Sequence, residues 1–89
     1  MLVLSRDVGQ KVVINGDIAA TVSEIGRDFC NMQVSHRDGR LIGVVILRSG
    51  MSQQELAHGV WGHLAQVTPQ GKVRIGLEGP KGITVVREG

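Results

Sequence analysis

Short aliphatic runs, broken at close intervals by turn-forming residues, leave this chain room for strands and for little else. LVL opens it at 2–4, KVVI follows at 11–14, then IAATVSEI at 18–25, FCNMQV at 29–34 and LIGVVIL at 41–47. Further runs lie at His63–Val67, Lys72–Leu77 and Ile83–Arg87. β-Branched and aliphatic residues in pieces this short suit a pleated, half-buried surface. The intervening segments supply turn chemistry: Asp7–Gln10, Asn15-Gly16-Asp17, Gly26-Arg27-Asp28, SHRDGR at 35–40, Thr68–Gly71 and Gly79–Gly82. Asn-Gly and Asp-Gly pairs tolerate positive φ, and Pro pre-sets the first bend of a turn. The prediction is an all-β fold. In Ile18–Ile25 neither face is cleanly apolar, so which face turns inward stays open.

One segment breaks the pattern. In RSGMSQQELAHGVWG, Ser52 and Glu55 match a helix capping box, and Leu56, Val60 and Trp61 fall at helical spacing. Gly59 and Gly62 would end such a helix after about two turns. The expectation is one strand over Leu41–Leu47 followed by a short helix within Met51–Gly62. VSEIGRDFCNMQV and LAQVTPQGKVRIGL also echo each other as strand, polar turn, strand. Two hairpins look alike for structural reasons, so the echo does not require an internal duplication.

Eighty-nine residues make one domain with a modest core, which a partner chain could complete. A single cysteine forms no intrachain disulfide, and no zinc-type Cys/His spacing occurs; His36, His58 and His63 name no metal site. The longest apolar run, Ile42–Leu47, is too short to cross a bilayer, and no secretory leader is evident. A cytoplasmic location is expected. Nothing points to catalysis or a cofactor: Cys30 has no histidine partner in sequence, and Ser52 reads as a cap, so no enzyme is expected. The net charge of +2 permits a nucleic-acid partner without demanding one. Phe29 and Trp61 are the only aromatic residues, which excludes a base-stacking platform. Trp61 reads as core or as a plug beneath the central segment, with an exposed partner site as the other possibility. Any RNA would be held by arginines, backbone groups and apolar strand surface.

The two ends, MLVLSRDVGQKVVI and GKVRIGLEGPKGITVVREG, together resemble the carbon storage regulator family of bacterial RNA-binding translational regulators. The likeness spans residues 1–25 and 71–89. Ordinary members pass from the third strand directly into the Arg-Ile-Gly strand, whereas this chain interposes residues 26–65. It also carries Gly79 where the family usually has alanine, Val86 where it often has histidine, and Asp7 where it often has a basic residue. The helix that usually follows Arg-Glu is missing or replaced by Met51–Gly62.

The resemblance implies a small interlocked homodimeric β-barrel or sandwich, in which the first strand of one subunit pairs with the last strand of the other, here as a single RNA-binding domain over 1–89. It implies binding to GGA-containing hairpin loops in messenger-RNA leaders, repression of translation or altered message stability, and titration by small RNAs. The residues it assigns to RNA are Leu4, Ser5 and Arg6 on the first strand, Gly79, Pro80 and Lys81 in the last turn, and Val85, Val86 and Arg87 on the last strand. Arg87 leads, because a guanidinium suits both phosphate and guanine edges. Each has a plainer role beside it: Leu4 as core, Arg6 paired with Asp7 or Glu88, Asp7 paired with Lys11, the turn as a turn. Arg74 reads as structural or as a rim charge. The rival readings are a protein-interaction module on the same fold, with a partner at the insertion, and a purely structural barrel.

Overall fold

The computed structural model describes residues 2–89. Nine strands are formed among them: β1 (Leu2–Arg6), β2 (Lys11–Ile14), β3 (Ile18–Ile25), β4 (Phe29–His36), β5 (Leu41–Arg48), β6 (Gln54–Ala57), β7 (Val60–Val67), β8 (Val73–Glu78) and β9 (Val85–Glu88). They build two antiparallel sheets, one ordered β1-β8-β7-β6 and the other β5-β4-β3-β2-β9. The expected all-β class is present, as a compact two-sheet fold.

Period-two burial explains the layers. On β4, Cys30, Met32 and Val34 are buried; on β8, Val73, Ile75 and Leu77 are buried while Arg74 faces out. Val60 and Leu64 of β7 and Val12, Ile14, Ile18, Ala20 and Val22 of β2 and β3 join them in one cluster between the sheets. Alternate side chains of a strand point to opposite faces, so each sheet contributes one apolar face to this core.

The predicted helix is corrected. Gln54–Ala57 and Val60–Val67 are strands, joined by a turn in which His58 and Gly59 both have positive φ, 54° and 75°. Two positive-φ residues make the tight hairpin turn that matches strand twist. Glu55 does not cap a helix: its Oε2 accepts from the Gly59 N–H at 3.1 Å and so braces the turn. A two-turn helix has little intrinsic stability, and the alternation of Val60, Gly62 and Leu64 buries well only as a strand. Nor does the interposed segment lie outside the core. Residues 26–65 supply β4, β5, β6 and most of β7, including the fully buried Met32, Leu47 and Val60.

The two sheets are related by an internal pseudo-twofold. Matching β1, β2, β3 and β4 to β5, β6, β7 and β8 turns the order β1-β8-β7-β6 into β5-β4-β3-β2. The details follow. A register shift falls between Val22 and Glu24 where β3 meets β4, and between Leu64 and Gln66 where β7 meets β8. Val22 faces Met32, and Leu64 faces Ile75. The β2–β3 turn has Asn15 and Gly16 at φ 55° and 74°, nearly the values of His58 and Gly59. The echo seen in the sequence is therefore structural in full. Strand β9 alone has no counterpart.

Cys30 is fully buried on β4, and burial raises its thiol from the ordinary 9.0 to about 11. The folded state favours the neutral thiol, so this stabilisation is complete below pH 9 and is lost as pH rises toward 11. Native protein should resist thiol reagents at about pH 8, where little thiolate exists. Thermal midpoints should fall more steeply between about pH 9 and 11 for wild type than for Cys30→Ala. Parallel curves for the two would contradict this.

Candidate nucleic-acid interface

Strands β1 and β9 belong to different sheets and meet at one corner of the molecule, and Arg6 joins them. It is only 7% exposed. Its Nε donates to the Ser5 carbonyl at 2.7 Å, and one terminal nitrogen donates to the carbonyls of Lys11 at 3.3 Å and, more weakly, of Glu88 at 3.5 Å. Through Nε and one terminal nitrogen the guanidinium thus ties together the backbones of β1, β2 and β9. A buried cation needs such partners, and here it acts as a brace. Arg6 therefore reaches β9 through the Glu88 carbonyl and offers no exposed charge.

Strand β9 pairs with β2, setting Arg87 opposite Val12, Val86 opposite Val13 and Val85 opposite Ile14. Val85 and Arg87 share one face, and Val86 and Glu88 the other. Arg87 is exposed and makes no ion pair among the described residues. Val86 is exposed, while Val85 is partly buried against the core. On β1, Leu4 is core, and Ser5 projects from the opposite face with Val3, opposite Arg74 and Gly76 of β8.

Gly79, Pro80 and Lys81 are all exposed in the turn before β9, which Ile83 closes by donating to the Pro80 carbonyl at 3.4 Å. Gly79 leaves little room for a side chain. A Cβ there would stand 2.9 Å from Val60 Cγ2 and 3.2 Å from Ile83 Cγ2, so the methyl is excluded by β7. Lys81 carries a free ammonium at the tip.

Asp7 does not pair with Lys11. Its carboxylate accepts from the Val8 N–H at 2.8 Å, shaping the β1–β2 turn. Lys11 and Arg37 instead flank Glu88 at 3.5 and 3.6 Å. Sequence reading missed both cations. Lys11 becomes visible only once the β2–β9 register is known, and Arg37 lies in a polar loop distant in sequence. Both pairs are substantially exposed and contribute little to stability. Trp61 is neither core nor plug: it is 43% exposed on β7, opposite Glu78 and Glu55.

The corner therefore combines an exposed Arg87 with the half-exposed cations Lys11 and Arg37, Val86 stands on the other face of β9, and the Gly79–Lys81 turn lies before the far end of that strand, against Val60. Glu88 offsets part of that charge. Among the described residues no cluster of metal-ligating side chains occurs, and no helix is long and apolar enough to cross a membrane. Comparison with protein-family models, with curated proteins and with solved structures finds no match for this chain.

Proposed function

We propose that the chain is a sequence-selective RNA-binding regulator that holds GGA-containing hairpin loops of messenger-RNA leaders, represses translation or alters message stability, and is open to titration by small RNAs. The observation that carries this reading is Arg87: a guanidinium exposed on the last strand, without an ion pair among the described residues, on a strand entered from a turn that carries the exposed Lys81. A planar fork of donors can read a guanine edge, and the exposed backbone of Gly79–Lys81 offers further polar groups. Lys81, Lys11 and Arg37 suit phosphate. The wall of the site is aliphatic, consistent with recognition that does not depend on stacking.

The homodimer implied by the resemblance loses its motive here. Within one chain β1 already has β8, and β9 already has β2. Exchanging these pairs for identical ones in trans would gain no new contact. Both sheets are thus paired within one chain. Sedimentation equilibrium at micromolar protein should return monomer mass; dimer mass would restore strand exchange.

The test of the reading is titration with a hairpin displaying GGA and with the same hairpin scrambled at the triplet, at two salt concentrations. Preferential binding of the GGA loop with a modest salt slope is expected. Equal affinities would overturn it in favour of a protein-interaction module. That second reading has its own observation: Leu41, Ile42, Val44 and Ile46 are exposed along β5, an edge strand.

A further inference from the structure

The pseudo-twofold leaves one position empty. In one sheet β9 covers the outer edge of β2; in the other, the equivalent edge, that of β6, has no partner strand among the described residues. The reason lies in the connections. Residues 79–84 and β9 follow β8, whereas β4 passes through residues 37–40 directly into β5, with no extra strand.

The residue that braces β9 differs in the same sense. Arg6 faces Val73 on β8, and the matching partner of Cys30 on β4 is Leu47. Arg6 donates to the Glu88 carbonyl of β9, while the buried Leu47 has nothing to brace. A groove of about 330 Å³ opens here, lined by Val44, Val45, Ile46, Arg48, Met51 and Gln54. Gln54 faces Gly62 on β7 as Val12 faces Ala20 on β3, and Val12 is the residue that pairs with Arg87. The groove thus lies where the missing strand would end.

Its surroundings are those of an unfinished sheet. Val44, Ile46 and Met51 are exposed, and Ile42–Leu47 contains no charge and no proline to blunt the edge of β5. Arg48 is exposed and makes no ion pair among the described residues.

We propose that the β5–β6 groove is a strand-acceptor site, which takes an extended segment of a partner protein as an added strand on β6. The chain itself shows what chemistry fills the equivalent place: Val85 packed on the core, Val86 exposed on the other face of the strand, and then Glu88 between two cations. The ligand is therefore an extended peptide with adjacent β-branched apolar residues and an acidic residue near Arg48. Backbone hydrogen bonds supply the affinity, and alternate side chains the selection. A second copy of the chain is not the occupant, because its own segment of this chemistry is already paired with β2. The proposal does not depend on the RNA reading.

The test uses a synthetic peptide of sequence ITVVREG, its scrambled form, and amide chemical-shift mapping on the intact protein. Shifts confined to residues 44–57, and affinity lowered about tenfold or more by Ile46→Lys and by Arg48→Glu, are expected. Both side chains are exposed, so these variants should keep the folded spectrum and bind the GGA hairpin as wild type does. Failure of the RNA reading alone would leave the peptide shifts intact. Three outcomes would overturn the proposal: no shifts at millimolar peptide, shifts on β2 and β3 from displacement of β9, or equal binding of the scrambled peptide. Self-association abolished by Ile46→Lys would assign the edge to a second copy and overturn it as well.

Discussion

Ile75→Ala should lower the stability of this protein by about 2–5 kcal/mol, the range for truncating a fully buried aliphatic side chain. Ile75 is 0% exposed at the middle of β8, between Leu4 of β1 and Leu64 of β7. Both neighbours are strands whose backbones cannot slide in without breaking ladder hydrogen bonds, so the cavity would persist. Domains of this size have roughly 5–15 kcal/mol in total, and the loss would consume much of it. Its pseudo-equivalent Met32 lies between Val22 and Val45 on β4, and Met32→Ala should cost a similar amount. Guanidinium unfolding followed by tryptophan fluorescence is well suited, since Trp61 is the only tryptophan. A midpoint unchanged from wild type in either variant would mean the two sheets do not share one core.

Arg87→Ala and Arg6→Ala should separate binding from folding. Arg87 is exposed at the end of an edge strand, so its removal should leave the unfolding midpoint within about 0.5 kcal/mol of wild type. Affinity for the GGA hairpin should fall by roughly 1–3 kcal/mol, the scale of a good base contact. Arg6→Ala should do the reverse. Three carbonyls at the junction of β1, β2 and β9 lose their donor, and stability should drop by about 1–3 kcal/mol. Any loss of RNA binding should then follow the loosening of β9, and Arg6→Lys should restore only part, since one ammonium cannot span the same carbonyls. Lys81→Ala should differ from both, with uniform weakening across sequences and a shallower salt dependence. If Arg87→Ala binds the GGA hairpin as wild type does, the interface lies elsewhere.

Much of the fold was legible because local chemistry and tertiary structure agree. The strands at 11–14, 18–25 and 41–47 are β-branched or aliphatic runs, and the first two are joined by the Asn15-Gly16 turn, which small or amide residues form easily. The segment 51–62 was misread because capping and helical spacing are weak preferences. Burial of Val60 and Leu64 between β8 and the opposite sheet outweighs them. Glu55 illustrates the ambiguity, since a carboxylate that could cap a helix satisfies a hairpin turn equally well.

The candidate site was legible in part. Arg87, Val86 and the Gly79–Lys81 turn are exposed, while Arg6 turns inward. Nothing in the linear sequence distinguishes a surface arginine from a buried brace, because the difference is made by carbonyls from three separate strands. Lys11 and Arg37 join the corner for the same reason: their neighbours are set by sheet register, not by proximity along the chain.

By itself the sequence determined that this chain is built of short strands and tight turns, because β-branched runs and positive-φ residues act within a few positions of one another. Only the tertiary structure decided which strands pair. It put β1 on β8 and β9 on β2 within one chain, related the two sheets by a pseudo-twofold, and left the β6 edge without a partner. Strand edges carry the same backbone N–H and C=O groups whatever their sequence, so the choice among edges falls to the packing of side chains in the shared core.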